Sequence, residues 1–344
     1  MAMHYIGADV DCNTTALAVR CGRKIVAEYR VPTSIPALAA ALDRISGPRH
    51  LTIEEGSMAD WLYRNLRGRV EEMTVFDPRR NRLIVGDGDK TNAIDAKKLA
   101  ELQQGGYTRA VYHGATQERL ELKQWVGLYH DRVKEAVRQV NKIRARARMH
   151  GARLPAGFLK RPKTRGAWLK GSCPAAVAGQ LEVLLAGYDS TAAQARRCRA
   201  ELARRGAGEE VLARWQAVPG IGLIRGVTFL AYLDTPWRFA HRSKRWKYCG
   251  VGLERASTGT DRHGRDKPGR LSVCQACNHR LKDVVLGAAL SAVAQGHNKY
   301  RLLYDTLIQE GVHDGNARRA VARKLIDTLV GMWKTGSAYM PELA

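Results

Sequence analysis

The chain has 344 residues, 45% of them hydrophobic, which suits two or three domains with substantial cores. Lysine and arginine outnumber aspartate and glutamate by 57 to 33, and the excess is spread along the whole chain. A net charge of +24 favours a polyanionic partner, of which nucleic acid is the commonest. We expect binding to such a partner to weaken steeply with salt.

The composition argues against a secreted or membrane-spanning protein. The seven cysteines fall at irregular spacings and do not resemble a disulfide framework. No apolar run approaches the roughly 18 to 20 residues of a membrane span, and the N-terminus lacks the pattern of a signal peptide. We therefore expect a soluble, reduced, cytoplasmic protein that has no membrane partner.

Residues 4–112 alternate strand-like and helix-like patterns. Three strands joined by tight turns come first, and helices then alternate with two further strands. A last helix is predicted from about Ala93. This order matches the ribonuclease H architecture, so the sequence predicts a ribonuclease H-like α/β domain over residues 1–112.

Two long helical patterns follow, over residues 115–150 and 174–205. The first ends in the strongly basic stretch VNKIRARARMHGAR. We predict an antiparallel helical pair of coiled-coil type over residues 113–208, with its Pro-, Gly- and Lys/Arg-rich middle as a loop. Its basic side chains fit a solvated helix face as well as they fit phosphate contacts.

Residues 209–344 are predicted to form a third, mainly helical domain. The glycine turn PGIG at 219–222 could present backbone N–H groups to a phosphate, although this signal is weak alone. The Gly-rich, basic stretch GVGLERASTGTDRHGRDKPGRL is typical of an exposed loop that carries hydroxyl side chains. Three helices are predicted near residues 280–296, 299–310 and 315–335.

Three acidic residues of the first domain are candidate metal ligands. Asp9 lies in the first strand with Asp11 on the same face, Glu54 ends the strand LTIEE, and Asp95 lies near the start of a helix. A carboxylate in mid-strand is costly to bury unless it is paired or metal-bound. Each residue alone could be an ordinary turn or capping acid. In a ribonuclease H-like sheet, however, Asp9, Glu54 and Asp95 converge at one edge, where they would hold Mg²⁺ (or Mn²⁺) for phosphoryl transfer.

A zinc site is a second candidate. Cys274, Cys277 and His279 lie close together in sequence, and Cys249 is available as a fourth ligand. However, there is no second close pair of ligands, and the run leads into a helix. A structural role for these residues is the stronger interpretation.

Seven stretches together carry a family likeness. They are YIGADVD, TIEEG, FDPRRNRL, KTNAIDAKKLAEL, VPGIG, RFAHRSKRWKYCGVGLERASTG and CNHRLK, and they run through nearly the whole chain. The set resembles the insertion-sequence one-ten family of transposases, which has the pilin-gene invertases as relatives. The resemblance implies a DEDD (RuvC-like) domain followed by a C-terminal serine transposase domain.

The resemblance assigns roles to individual residues of the first domain. The first Asp of the family matches Asp9, its Glu matches Glu54, and its last Asp matches Asp95. The third acidic position of the family falls on Asn92. Its amide can still offer a carbonyl oxygen to Mg²⁺ but lacks a formal negative charge, and Asp89 is a possible compensating carboxylate.

The resemblance also implies a serine nucleophile in a Ser-Gly pair. When the spacing of the family is counted from Gly250, the nucleophile position falls on Thr258, and Ser257 lies one residue before it. A primary alcohol is the less hindered nucleophile, so Ser257 is favoured and Thr258 is the alternative. Attack on a DNA phosphate would leave a covalent phosphoester between protein and DNA.

The function implied is that of a transposase or DNA recombinase of a bacterial mobile element, guided by a structured bridge RNA and associated with the nucleoid. The partners would be DNA, the guide RNA and further copies of this chain. In a dimer or tetramer of the chain, the acidic metal site and the hydroxyl nucleophile would meet. Two alternatives stay open. One is a catalytically impaired nucleic-acid-binding relative, and the other is a metal-dependent nuclease or resolvase that uses the acidic site alone.

Overall fold

The structure is a computed structural model that describes residues 2–77, 91–114, 116–256, 262 and 270–341. The chain divides into two compact units, residues 1–115 and 116–344. The first contains a five-stranded mixed sheet, and the second consists mainly of helices, several of them long. The predicted division of the second unit near residue 208 stays a prediction. Within the described ranges, no helix is long and apolar enough to cross a membrane.

The five strands of the first unit, numbered in chain order, are β1 His4–Val10, β2 Thr14–Cys21, β3 Lys24–Pro32, β4 Arg49–Glu54 and β5 Glu72–Phe76. They lie side by side in the sheet in the order β3-β2-β1-β4-β5. The first three strands are antiparallel neighbours, whereas β4 runs parallel to β1 and β5 runs parallel to β4. The predicted strands are therefore confirmed.

Helices cover both faces of this sheet. On one face, α1 (Ile35–Asp43) and α2 (Ala59–Leu66) bury a core of aliphatic side chains against the strands. The side chain of Ser34 caps α1 by accepting a hydrogen bond from the N–H of Ala37. On the other face, α3 (Asn92–Gln104) packs against β1 and β2.

The contact between α3 and β1 depends on small residues. A Cβ atom at Gly7 would lie 2.0 Å from the backbone oxygen of Ala96 and 2.6 Å from the backbone nitrogen of Ala100. Ala16 and Ala18 of β2 are buried with Ala96 in the same contact. The helix backbone therefore lies directly on the sheet, an approach that glycine permits and a larger residue blocks.

In the second unit, α4 (Gln117–Met149) and α6 (Ala175–Gly206) form the predicted antiparallel pair. The direction follows from two cross-helix hydrogen bonds. Arg205 donates to Glu121 at 2.8 Å, and Arg132 donates to Gln194 at 3.3 Å, so the partner residue number falls as α4 advances.

The prediction of a loop between these two helices is wrong. The segment contains a 3-10 turn, Phe158–Lys160, and a helix α5, Pro162–Ser172. Pro162 occupies the first turn of the helix, where its missing N–H costs nothing. Phe158 and Leu169 are buried with residues of α4 and α6 in a separate apolar core, so tertiary packing overrides the loop-like composition.

The remainder of the second unit surrounds a core centred on Trp215, whose indole N–H donates to the oxygen of Leu329 at 2.9 Å. The three C-terminal helices predicted near residues 280–296, 299–310 and 315–335 are confirmed. The elements are α7 Glu210–Trp215, α8 Leu223–Leu233, α9 Arg242–Tyr248, β6 Leu253–Ala256, β7 Arg270–Val273, α10 His279–Ala294, α11 Lys299–Gln309 and α12 Asp314–Thr335.

The glycine turn at 219–222 packs against α10. Gly220 has a φ of +81°, and a Cβ atom there would lie 2.2 Å from the oxygen of Ala288. Its N–H donates to Gln295 at 3.2 Å, and its oxygen accepts from Arg225 at 2.6 Å. The expected phosphate role is wrong for this N–H, because a side chain of the protein already occupies it.

Replacing Gly7 tests the contact of α3 with β1. In Gly7→Ala, the added methyl group overlaps the backbone of α3, so the helix must move away from the sheet. We expect local stability to fall by roughly 3 kcal/mol. Hydrogen exchange of α3, followed by mass spectrometry, measures this directly.

Gly68→Ala is the matched control, because a Cβ atom at Gly68 meets no atom within 4 Å. We expect it to leave the exchange of α3 unchanged. Equal protection of α3 in wild type and Gly7→Ala would contradict the close packing.

Candidate active site

The fold brings Asp9 and Glu54 to the same edge of the sheet. Asp9 is the penultimate residue of β1, and Glu54 is the last residue of β4, the parallel neighbour of β1. The pairing of Ala8 with Ile53 places the next residues of the two strands side by side. Because side chains alternate along a strand, Asp9 projects on the face that Gly7 opens to α3.

The third carboxylate comes from the first turn of α3. The hydroxyl of Thr91 caps this helix by accepting from the N–H of Ile94 at 3.3 Å. Asp95 follows within that turn, and the next residue, Ala96, lies against Gly7. The same contact that seats α3 therefore brings Asp95 towards Asp9.

The charges of this group affect the ionisation of Asp9 and Glu54. Partial burial raises the pKa of Asp9, and the charges of Asp95 and Asp11 raise it further. Glu54 is exposed as a residue, yet desolvation of its carboxyl group raises its pKa, and the charges of Asp9 and Asp95 add to the effect. Like charges that disfavour one another's ionisation are typical of functional sites.

One oxygen of this cluster lacks a partner. Oδ1 of Asp95 is buried and accepts no hydrogen bond from the residues that the structure describes. A buried carboxylate oxygen without a donor is costly, so a bound cation would relieve it. In the described part of the chain, no three His, Cys, Asp or Glu side chains are arranged to hold a metal ion as they stand. The donor set nevertheless fits the oxygen preference of Mg²⁺, and the carboxylates would have to close around the ion.

A cavity of about 230 Å³ lies at the ends of β1 and β4. Asp9, Asp11, Glu54 and Glu55 line it, so it is strongly acidic. Asp11 lies past the end of β1 and is exposed, with its carboxylate accepting from the N–H of Cys12 at 2.7 Å. The expectation that Asp11 belongs to the strand is therefore wrong, and it contributes to the rim of the cavity instead.

Asn92 has a different environment. It is the first residue of α3, it is exposed, and it lines a separate cavity of about 550 Å³ with Tyr29 and Arg30. Asp95 lies three residues later on the same helical face. The structure thus brings Asp9, Glu54 and Asp95 together, with Asn92 at the margin of the group.

The predicted nucleophiles Ser257 and Thr258 lie outside the described residues. The flanking strands β6 and β7 form an antiparallel pair, in which Ala256 is opposite Arg270. These two strands lie where the sequence predicts one exposed loop, so that prediction is wrong at both ends of the stretch. The ends of the segment that carries both hydroxyls are therefore held side by side.

The base of this hairpin is tied to α9 and α12. The oxygen of Val251 accepts from Arg323 at 3.0 Å. Asp327 accepts from the buried guanidinium of Arg245 at 2.6 Å and from the indole of Trp246 at 3.1 Å. This network fixes the start of the hairpin among cationic side chains.

The cysteines have structural environments. Each of the seven is free, and Cys249 and Cys274 are buried. Burial raises the pKa of Cys249 to about 12, and burial followed by a hydrogen bond with Glu254 raises that of Cys274. Burial of both residues is typical of cysteines that have a packing role.

Sequence reasoning missed His113. Its ring contacts Asp60 at 2.5 Å through Nδ1 and Glu55 at 2.8 Å through Nε2, and only 2% of its side chain is exposed. Burial alone would lower its pKa, but the hydrogen bonds and charges of Asp60 and Glu55 outweigh burial and raise the pKa to about 9. His113 thus joins the last residues of the unit to the turn that follows Glu54.

The pH dependence of stability tests this histidine. A folded pKa near 9, above the ordinary 6.5, means that the stabilisation is complete below pH 6.5 and is lost as the pH rises through 9. We expect His113→Gln to lower the free energy of unfolding by roughly 2 kcal/mol at pH 6 and by much less at pH 9.5. Urea unfolding across this pH range provides the measurement.

His150→Gln is the control, since His150 is exposed. It should follow the wild-type curve at each pH. If His113→Gln lowers the free energy of unfolding by the same amount at pH 6 and at pH 9.5, the imidazole is neutral in the folded protein.

No protein-family model matches the chain, and no curated protein sequence matches it either. The features of the chain that point to a function are the acidic edge, the positive charge and the motif likeness to insertion-sequence one-ten transposases.

Proposed function

We propose that the chain is a DNA transposase or recombinase with a ribonuclease H-like (RuvC-like) N-terminal unit. The observation that carries the proposal is the convergence of Asp9, Glu54 and Asp95 at one edge of a sheet ordered β3-β2-β1-β4-β5. Burial and the neighbouring carboxylates raise the pKa of Asp9 and Glu54. In an otherwise basic protein, a bound cation would offset the repulsion within this group. Such a cation at a nucleic-acid-binding surface suits phosphoryl transfer.

Asp9, Glu54 and Asp95 would hold Mg²⁺ or Mn²⁺, with Asn92 able to join through its carbonyl oxygen. The partnerless Oδ1 of Asp95 supports this assignment. When bound, the ion would stabilise negative charge on the attacking and leaving oxygens.

A hydroxyl of Ser257 or Thr258 would act as the nucleophile. Its oxygen attacks a DNA phosphorus, and the bond from that phosphorus to one deoxyribose oxygen breaks while the hydroxyl proton is released. The freed deoxyribose oxygen takes up a proton. Attack by a second DNA hydroxyl then reverses the exchange and frees the side chain. Because each step replaces one phosphoester with another, rejoining needs no external energy source.

The charge of the chain supports a nucleic-acid partner, and the guide RNA and the dimer or tetramer follow from the motif likeness alone. A metal-dependent nuclease or resolvase is the second candidate, since the acidic edge is complete without the hydroxyl segment. The departures at Asn92 and Thr258 favour a third candidate, a relative that binds nucleic acid with impaired chemistry.

Formation of donor–target DNA junctions in cells tests the proposal. The chain would be co-expressed with its flanking non-coding DNA, and junctions counted by sequencing. We expect junctions from wild type, none from Glu54→Gln, and none from one of Ser257→Ala and Thr258→Ala. The variant that abolishes junctions identifies the nucleophile, because the other retains the attacking oxygen.

Glu182→Gln is the matched control for Glu54→Gln, since it makes the same change at an exposed position of α6. Junctions should persist in this variant. Cleaved DNA without a protein–DNA adduct would favour the nuclease, and absence of any junction from soluble wild type would favour the binding-only relative.

Thermal unfolding tests the metal site without relying on activity. In metal-free buffer, we expect Glu54→Gln to raise the melting temperature by a few degrees, because it removes repulsion with Asp9 and Asp95. Mg²⁺ should raise the melting temperature of wild type and have a smaller effect on Glu54→Gln. Asn92→Asp should respond at lower Mg²⁺ concentrations, since it adds a negative charge.

Glu182→Gln again provides the control and should respond to Mg²⁺ as wild type does. An identical Mg²⁺ response in wild type and Glu54→Gln would remove Glu54 from the site. An unchanged or higher Mg²⁺ requirement in Asn92→Asp would remove Asn92.

A further inference from the structure

The far end of the helical pair carries a dense cluster of positive charge. Residues 141–181, named here the hairpin end, contain ten lysines and arginines and no aspartate or glutamate. They comprise the last turns of α4, the 3-10 turn, α5 and the first turns of α6. The acidic edge belongs to the other compact unit.

One of the ten cations is buried inside the protein. Arg165 is buried, donates to the oxygens of Phe158 and Leu159, and pairs with Asp189 at 2.6 Å. No ion pair within the described ranges involves any of the other nine. Eight of these are exposed and Arg146 is half-buried; the nine are Lys142, Arg144, Arg146, Arg148, Arg153, Lys160, Arg161, Lys163 and Lys170.

These charges are carried on a packed scaffold. Ile143, Phe158, Leu169 and Leu181 are buried together in the apolar core of the hairpin end. On α4, the buried Ile143 and Ala147 fix the helix orientation, which leaves Arg144 and Arg148 one turn apart on one side. The packed core fixes the backbone that carries these cations, so that mainly their side chains lose conformational freedom when a polyanion binds.

The chemistry of the surface indicates which polyanion it fits. A helix that lies on a membrane inserts its apolar face, but here the apolar residues are consumed by the internal core. Across residues 141–181, all of them described, Met149 is the single exposed large apolar side chain. No exposed aromatic ring is available in this range for stacking on unpaired bases, as single-strand binding requires.

We propose that the hairpin end binds the phosphodiester backbone of a double-stranded nucleic acid without reading its bases. Five of the nine cations without an ion pair among the described residues are arginines, whose guanidinium groups suit bidentate phosphate contacts. The proposal extends the proposed function, because it names a surface that holds the nucleic acid. It needs neither the acidic edge nor the hydroxyl segment.

The salt dependence of binding by the full chain tests this. Fluorescence anisotropy would follow binding to a labelled DNA duplex, an RNA duplex of the same sequence and the single strand, all in EDTA. For Arg144→Gln/Arg148→Gln we expect weaker duplex binding. The slope of log affinity against log salt should become shallower by about 1.8, because two phosphate contacts are lost.

Arg196→Gln/Arg197→Gln is the matched control, since it removes two exposed arginines of α6 outside the hairpin end. It should keep the wild-type slope, and all proteins should share one unfolding midpoint. The duplex that binds more tightly shows whether the hairpin end prefers DNA or RNA. Equal affinities for the two duplexes would show that the contact is made with phosphate alone.

An unchanged slope in Arg144→Gln/Arg148→Gln would overturn the proposal, as would equal losses in the two double variants or tighter binding of the single strand. Because EDTA prevents metal-dependent chemistry, such a failure leaves the transposase proposal standing. Conversely, if the wild-type chain binds the duplex but forms no junctions in cells, only the transposase proposal is contradicted.

Discussion

Ala96 of α3 lies directly against Gly7 of β1, and the candidate site follows from this contact. A side chain at Gly7 would separate helix and sheet. With glycine there, the first turn of α3 reaches the edge of the sheet where Asp9 and Glu54 end their strands. The parallel pairing of β1 with β4 therefore brings Asp9 and Glu54 to the same edge of the sheet. The close contact of α3 with Gly7 adds Asp95 to them.

The acidic edge and the rest of the chain have opposite electrostatic character. The protein carries a net charge of +24, yet four acidic residues share one cavity at the end of β1 and β4. Repulsion within that group is unfavourable for folding, and such costs are common at functional sites. His113 offsets part of it by holding Glu55 and Asp60, so the turn after Glu54 is fixed from behind. In the proposed function, the positive charge of the chain would attract phosphate, and the acidic cavity would hold the cation for phosphoryl transfer.

Local patterns predicted much of this arrangement. Strand alternation and strand ends located Asp9 and Glu54, and the helical pattern from about Ala93 located the helix that carries Asp95. Contacts between residues distant in sequence were not predictable. His113 has its partners more than fifty residues away, so no local pattern marks it. The helix α5 was hidden by its Pro, Gly and Lys content, since its stability comes from packing against α4 and α6. Likewise, the glycine turn at 219–222 resembles a phosphate-binding loop until its packing partner is known.

The central claim is that Asp9, Glu54 and Asp95 form one cation site. A crystal structure of the full chain grown with Mn²⁺ and measured at the manganese absorption edge tests it most directly. The account predicts an anomalous peak within roughly 2.0–2.6 Å of oxygens from all three side chains. A fully occupied peak elsewhere, or none at this edge with the three carboxylates well ordered, would contradict it.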